Sequence, residues 1–200
     1  MAAAVTLPAL PTFAVERLGY QLIESYPEFE LRQYDDHLLA TTVVDDDFER
    51  AGNRAFRDLF GYIDGGNAAA QSISMTAPVT QTPSGSGYEV GFVMPGHLTA
   101  ESLPRPASDT VQIVARAGTL MAVRRYSGGW SESRYRKHES QLRQAVTSAG
   151  YAICGPATWA RFDPPFMPSF WRSNEILFPV VTASCDAATD SREDQAAAAR

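Results

Sequence analysis

Two stretches of the chain carry apolar residues at the three- and four-residue spacing of an amphipathic α-helix. The first follows the aspartates at 45–47 and ends at the glycines at 65–66, and its apolar positions are Phe48, Ala51, Ala55, Phe56, Leu59, Phe60 and Ile63. Asp46 and Glu49 have the spacing of a capping box, which predicts that this helix begins at Asp46. The second stretch runs from about residue 130 to residue 149, with the stripe Tyr135, His138, Leu142, Ala145, Val146 and Ala149.

Shorter segments that alternate apolar and polar residues, or that are rich in β-branched residues, predict strands. These segments are 29–34, 38–44, 72–80, 88–94, 110–116, 120–126, 151–162 and 175–181. Pro78 has no N–H to donate to a neighbouring strand, so we expect it at a sheet edge or a strand end. The proline-rich segments 97–109 and 163–168 are predicted to be irregular loops.

The order of these elements repeats once along the chain. Three positions around the first predicted helix recur 82 residues later, namely Leu38, Ala40 and Phe48 as Leu120, Ala122 and Trp130. Each half then has the order β-α-β-β, which predicts an α+β fold with an antiparallel or mixed sheet, curled into a distorted barrel, and both helices on one face. A groove between helices and sheet is the natural ligand site in such an architecture.

Length and composition favour one globular domain. The chain has 200 residues, of which 44% are hydrophobic and 20% charged, and this composition excludes a disordered chain, a coiled coil or a collagen-like fibre. We expect an N-terminal arm at 1–19, a folded domain at 20–182 and a disordered tail at 183–200. The formal net charge of -6 argues against nucleic acid as a partner.

The cellular location of the protein is inferred from the ends of the chain and from the cysteines. No apolar run reaches the roughly 18 residues of a membrane-spanning helix, and the N-terminus lacks the basic start of a signal peptide. Cys154 and Cys185 have no metal-ligand spacing, and Cys185 falls in the predicted tail, so a native bridge between them is not expected. These features predict a cytoplasmic protein, with an organelle such as a plastid left open.

Candidate chemistry is sparse. No two of His37, His97 and His138 have metal-ligand spacing, and no nucleophile elbow or phosphate-binding glycine loop is present, so no metal ligand and no catalytic residue is assigned. His138 lies on the apolar stripe of the second helix. It is either a core-edge imidazole bonded to a backbone carbonyl or a contact of a ligand pocket.

Several apolar side chains are candidates for a binding pocket. Phe56 and Phe60 share one face of the first helix, and Met75 and Met94 supply soft, flexible side chains on predicted strands. Each of them is also a candidate for simple core filling. Arg54 flanks the first helix, where a guanidinium can meet a ligand carboxylate at a groove rim.

Four segments, in order along the chain, resemble the SOUL haem-binding protein family. Residues 29–34 read Phe-Glu-Leu-Arg-Gln-Tyr, residues 73–79 Ile-Ser-Met-Thr-Ala-Pro-Val, and residues 122–128 Ala-Val-Arg-Arg-Tyr-Ser-Gly. Residues 162–168 read Phe-Asp-Pro-Pro-Phe-Met-Pro and are followed at 171–176 by Trp-Arg-Ser-Asn-Glu-Ile. The resemblance covers about 20–181, nearly all of the predicted domain.

The resemblance implies two pseudo-symmetric halves that form a distorted β-barrel flanked by two helices, related to the effector-binding domain of GyrI-like regulators. It also implies a carrier, buffer or sensor of haem or another tetrapyrrole, bound in an apolar cleft between the first helix and the loop at 164–170. The candidate contacts are Arg54, Phe56, Phe60, Met75, Met94, His138, Phe162, Phe166, Met167 and Phe170.

Two positions depart from the family pattern. Gln33 stands where some members carry a histidine proposed as axial iron ligand, and Phe162 stands where relatives often have tyrosine. We therefore expect binding by apolar burial and carboxylate contacts, without a strong axial protein ligand. Nothing in the sequence fixes the oligomeric state, for which a monomer or weak dimer is expected, and a protein partner is left open.

Two other functions remain open. One is an enzyme on the same fold that acts on a tetrapyrrole or a small hydrophobic substrate, with Glu89, Glu175 and Tyr126 as acid/base candidates. The other is an interaction module that senses a small apolar molecule.

Overall fold

The structure, a computed structural model, describes residues 15–182 and 184–185. The N-terminal arm predicted at 1–19 and the tail predicted at 183–200 therefore fall largely outside the described residues. The described chain contains two helices, α1 (Phe48–Ile63) and α2 (Glu132–Ser148), and a short 3-10 turn (Ser169–Trp171). Its strands are β1 (Glu16–Arg17), β2 (Tyr20–Ser25), β3 (Glu30–Tyr34), β4 (His37–Val44), β5 (Thr76–Ala77), β6 (Val79–Ser84), β7 (Gly87–Val93), β8 (Gln112–Arg116), β9 (Leu120–Ser127), β10 (Ala152–Ile153), β11 (Thr158–Arg161) and β12 (Ser173–Val181).

One large sheet holds all the described strands except the parallel pair β1 and β5. Its order is β2-β3-β9-β12-β11-β6-β7-β4-β8, with β10 also beside β12, and all its pairings are antiparallel. The outermost strands of this order, β2 and β8, are not paired with each other, so the curled sheet forms a half-barrel. The predicted α+β fold of two halves is confirmed.

The two halves exchange one strand each. The three strands β4, β7 and β6 follow one another in space as β9, β12 and β11 do in the second half, and β6 pairs with β11 at the centre. The strand before β4 in sequence, β3, pairs instead with β9, and the strand before β9, β8, pairs with β4. The internal repeat predicted from the sequence is therefore visible in the sheet order, with its outer strands crossed over.

Both helices cover the same face of the sheet, as predicted. Phe48 of α1 and Tyr135 of α2 each contact the ring of Trp159 in β11, at centroid distances of 5.2 and 5.8 Å. We call this side the helix face and the other side the open face. Under α1 the core is built from β4 and β7, and under α2 from β9 and β12.

The start of α1 differs from the prediction by one residue. Asp47 is the N-cap, and its carboxylate accepts the backbone N–H of Arg50 at 2.9 Å. Asp46 accepts instead from the Nε of Arg50 and from the Asp47 N–H, so it supports the cap from outside the helix. The capping box predicted between Asp46 and Glu49 is therefore wrong, although a carboxylate does cap the helix.

The observed strands differ from the predicted ones in four details. Strand β2 was not predicted, and β1 begins inside the predicted arm. The segment 72–80 divides at Pro78 into β5 and β6, in line with the expectation that this proline lies at a strand end. The segment 151–162 divides into β10 and β11 around Gly155 and Pro156, which interrupt the pairing with β12.

The expectation that the two cysteines are unbridged is wrong. Cys154, which follows β10, is disulfide-bonded to Cys185, with the two Cα atoms 5.4 Å apart. The bridge joins chain positions that β10 and β12 already bring together, because Ile153 pairs with Val180. The predicted cytoplasmic location rested in part on unbridged cysteines, which a reducing compartment favours, so it stays a prediction without that support.

Membrane insertion through a helix finds no support in the fold. Within 15–182 and 184–185, neither helix combines the length and the apolarity needed to cross a bilayer.

Candidate functional site

One edge of α1 displays two stacked phenylalanine rings. The rings of Phe56 and Phe60 lie 5.9 Å apart and nearly parallel, at 11°, and their side chains are 38% and 46% exposed. Phe56 also touches the edge of Phe92 in β7, at 5.3 Å, which fixes its position over the sheet. Gly52 lies one turn before Phe56 on the same edge. The predicted sharing of one helix face by the two rings is therefore observed, and that face is accessible.

The two helices flank the central strands of the sheet. Because α1 packs on β4 and β7, and α2 packs on β9, β10 and β12, the central strands β6 and β11 form the floor between them. Gln81 and Trp159 pair across these strands on the helix face, and Arg161 follows two residues later on the same face. We call this region the interhelix groove and define it by Gly52, Phe56 and Phe60 on α1 and by Gln81 and Arg161 on the floor.

The loop 163–172 closes on itself through polar contacts. The carboxylate of Asp163 accepts the Ser173 N–H at 2.6 Å, and Arg172 donates to the carbonyl oxygens of Met167, at 2.8 Å, and Pro165. The guanidinium of Arg172 also lies 4.4 Å from the ring of Trp130. These contacts fix the loop backbone.

The same loop turns its aromatic side chains outward. Phe166 is 86% exposed, Phe170 67% and Trp171 69%, whereas Met167 is partly buried. Among the described residues, no ring contact joins these three rings to Phe56 or Phe60.

Strand register places the loop and the α1 rings at the same end of the floor. Arg161, the last residue of β11, pairs with Val79, the first residue of β6, and Val79 pairs with Phe92, which Phe56 contacts. The loop begins two residues after Arg161. Met75, 36% exposed, lies four residues before Val79. Strand register therefore places Phe56, with Phe60 beside it, near the end of β11 from which the loop with Phe166, Met167 and Phe170 leaves, and Met75 is close in sequence to the same end of β6.

Four other predicted residues lie elsewhere. Met94 is 4% exposed and belongs to the core under α1. Phe162 follows Arg161, so it points to the open face, where it packs near Leu18 with the Arg17 guanidinium 5.2 Å from its ring. Arg54 lines a different cleft of about 570 Å³, which β4 and β8 border.

His138 lies over β9, and β12 separates that strand from the groove floor. Its ring stacks on Tyr126, with centroids 3.9 Å apart and an interplanar angle of 19°. The buried Nδ1 atom has no hydrogen-bond partner in the described part of the chain, so the expected bond to a backbone carbonyl is not found. Burial lowers the pKa of His138 below its usual value, and the nearby charges of Arg124, Lys137 and Arg134 lower it further.

The lowered pKa predicts that acid weakens the fold through His138. The unfolded chain binds a proton at this residue more readily than the folded one, so stability falls as the pH drops below about 6.5, the ordinary histidine value. We expect the loss of stability in urea unfolding between pH 7.5 and pH 5 to shrink in His138→Phe, which keeps the stacked ring. The control is His97→Gln in an exposed loop. If His138→Phe lost as much stability as the wild type between pH 7.5 and pH 5, the assignment to His138 would be contradicted.

The three acid/base candidates do not form one site. The carboxylate of Glu175 is 1% exposed and accepts hydrogen bonds from Arg32 and Arg125 on the open face. Glu89 lies on the same face but pairs with Arg116 at 2.7 Å. Tyr126 faces the helices, and burial raises its pKa. The geometry therefore gives no shared position at which these groups meet one substrate.

Arg161 is a residue that the sequence reasoning did not place in the site. The buried carboxylate of Glu175 pairs with Arg32 and Arg125, not with Arg161. The strand period of two was a signal, because it places Trp159 and Arg161 on the same face of the sheet. The glycine at position 52, in the middle of a predicted helix, is a second signal for a close approach at this point.

Comparison with known proteins gives the family. A family model described as SOUL heme-binding protein matches residues 15–179. Heme-binding protein 1 of Xenopus tropicalis is 27% identical over 164 residues, which cover 75% of this chain and 82% of the relative. Heme-binding protein 1 of Mus musculus is 27% identical over 157 residues, with 74% and 82% covered.

Solved structures agree on the fold. The EcmrR C-terminal domain superposes with a TM-score of 0.62 at 13% identity, over 82% of this chain and 99% of that domain. A hydrolase from Listeria innocua superposes with a TM-score of 0.55 at 11% identity, over 84% of this chain and 94% of that protein. At these identities the likeness concerns the fold alone. The family match over most of the chain, together with its two helices on a curled antiparallel sheet, makes this chain a member of the SOUL heme-binding protein family.

Proposed function

We propose that this protein binds haem or another tetrapyrrole in the interhelix groove, mainly by apolar burial, and acts as a carrier, buffer or sensor of that ligand. The observation that carries the proposal is the exposure of two sets of aromatic rings at one end of the groove. Phe56 and Phe60 supply one set, and the loop 163–172 supplies the other. Exposed apolar patches of this kind mark ligand or interaction sites, and family membership supports haem binding at the family level.

The size of the apolar contact suits a flat macrocycle. Burial of roughly 400 Å² of apolar surface on each partner, at ~25 cal/mol per Å², is worth about 20 kcal/mol before costs. Association and side-chain ordering cost about 4–15 kcal/mol. The remainder spans the ~8 kcal/mol of a micromolar complex. An axial protein ligand is therefore not needed for useful affinity.

The residues around the groove are consistent with weak axial ligation. Neither α1 nor the loop 163–172 contains a histidine or cysteine, and His138 lies beyond the groove floor. The softest donors at this end are the thioethers of Met75 and Met167. Haem bound here would be held by its faces and its edge more than by its iron, in agreement with glutamine at position 33.

An open groove suits a protein that exchanges its ligand. The loop is fixed by Asp163 and Arg172, so the apolar surface is preformed and little chain must be ordered on binding. The rings lie at the surface, which leaves one edge of a bound macrocycle accessible to an acceptor. These two properties support transport or buffering, and no observation favours catalysis.

Hemin titration tests the proposal. Wild-type protein should show a saturable change in the Soret band at micromolar hemin. Phe60→Asp should raise the Kd at least tenfold, because a charge would replace the ring that the macrocycle covers, and tenfold corresponds to about 1.4 kcal/mol. The matched control is Val43→Asp, since Val43 is 62% exposed on the open face and should not affect the Kd.

Two results would count against the groove. Absence of saturable binding at micromolar hemin would overturn the proposed function itself. An equal loss of affinity in Val43→Asp and Phe60→Asp would move the binding site away from α1. Circular dichroism of each variant separates a local effect from unfolding.

A further inference from the structure

A partly buried guanidinium lies on the floor of the interhelix groove, surrounded by aromatic rings. The Arg161 guanidinium carbon lies 5.4 Å from the ring of Phe48, 5.3 Å from Trp130 and 5.8 Å from Tyr135. Trp130 is also covered by Arg172, at 4.4 Å. Aromatic rings stabilise a cation through their faces, but they do not neutralise its charge.

The hydrogen-bond partners of Arg161 are all neutral. Its Nε donates to the hydroxyl of Tyr135 at 3.2 Å, and its Nη2 donates to Oε1 of Gln81 at 2.6 Å. Among the ion pairs of the described residues, none includes Arg161 or Arg172. Arg32, the other arginine drawn into the sheet, is neutralised by Glu175. Arg161 is therefore a partly buried cation without a carboxylate partner among the described residues, an arrangement that favours binding of an anion.

Gly52 allows α1 to lie close to this guanidinium. A Cβ atom at position 52 would lie 3.0 Å from Nη1 of Arg161 and 3.1 Å from Oε1 of Gln81, closer than ordinary contact. A glycine inside a helix costs about 1 kcal/mol relative to alanine. Here it lets the Arg161 guanidinium lie against α1, one helical turn from Phe56.

We infer that Arg161 is the anion-binding residue of the interhelix groove and takes a carboxylate of an otherwise apolar, flat ligand. The inference rests on the proposed function, in which that carboxylate is a propionate of the tetrapyrrole. Nη1 has no hydrogen-bond partner among the described residues, so its N–H groups remain free to donate to a carboxylate oxygen. The assignment replaces Arg54, which lies in the cleft bordered by β4 and β8.

Two ligands that differ only in their carboxylates distinguish anion binding by Arg161 from a purely structural role. Hemin carries two free carboxylates, and hemin dimethyl ester has the same macrocycle without them. Arg161→Gln should raise the Kd for hemin at least tenfold and leave the Kd for the dimethyl ester within twofold of the wild type. Arg54→Gln should change neither value.

The ester also shows that the variant is folded, because its groove must still bind the macrocycle. A second variant, Gly52→Ala, keeps every charge but crowds Nη1. It should raise the Kd for hemin more than the Kd for the dimethyl ester. Equal effects of Arg161→Gln on hemin and ester, or a hemin-specific loss in Arg54→Gln, would overturn the assignment while hemin binding itself stands. Absence of hemin binding in the wild type would overturn the proposed function and this inference together.

Discussion

Replacement of Arg32 by methionine is expected to lower the free energy of unfolding by about 3–5 kcal/mol, the usual cost of removing one partner of a buried ion pair. The Arg32 and Glu175 side chains are 3% and 1% exposed, and two hydrogen bonds join them at 3.0 and 3.2 Å. Arg32 also donates to the hydroxyl of Tyr34 and to Glu30. Without Arg32, the buried carboxylate of Glu175 keeps only Arg125, whose side chain is 57% exposed.

Urea unfolding measures this effect, with Arg50→Met as the control. Arg50 forms ion pairs of similar length with Asp46 and Asp47, but its side chain is 71% exposed, so its loss should cost about 1 kcal/mol or less. The double variant Arg32→Met/Glu175→Leu should recover most of the stability, because no unpaired charge remains buried. A change below 1 kcal/mol in Arg32→Met alone would contradict the buried pair.

Trp159→Ala is expected to lower the free energy of unfolding by about 3–5 kcal/mol, the range for deleting a buried large aromatic. Trp159 is 0% exposed and lies at the centre of β11, between the two halves. Its ring contacts Phe48 of α1, Tyr135 of α2 and Tyr88 of β7. One substitution therefore opens a cavity that both helices border.

The matched control is Trp171→Ala in the loop 163–172. This ring is 69% exposed, and its removal should change the free energy of unfolding by no more than about 0.5 kcal/mol. Chemical denaturation of both variants provides the comparison. Similar losses at the two positions would show that burial is not what distinguishes these tryptophans.

The helices and the repeat were predictable because their signals are periodic and local. Seven apolar positions on one face define α1 within one residue of its observed start. Strand β2 was missed because all six of its residues are exposed, so no alternation of buried and exposed positions marks it. The break between β10 and β11 was missed because apolar residues continue on both sides of Gly155 and Pro156.

The candidate site was predictable in part for a similar reason. Phe56 and Phe60 follow directly from helical spacing, whereas the side of the sheet on which Phe162 lies depends on the register of β11 against β6. The Cys154–Cys185 bridge depends on the pairing of β10 with β12, a contact between distant parts of the chain. No local sequence pattern predicts that Arg161 lacks an acidic neighbour, because its neighbours come from distant parts of the chain.

The exchange of β3 and β8 has a consequence for synthesis on the ribosome. When the first half has emerged, β3 still lacks its neighbour β9, and the outer edge of β4 is unpaired because β8 has not yet been made. The nascent first half therefore presents unpaired strand edges until about residue 127 has been translated. Neither half should fold as a separate fragment, and contacts between residues some 90 positions apart should make folding slow relative to helical proteins of this size.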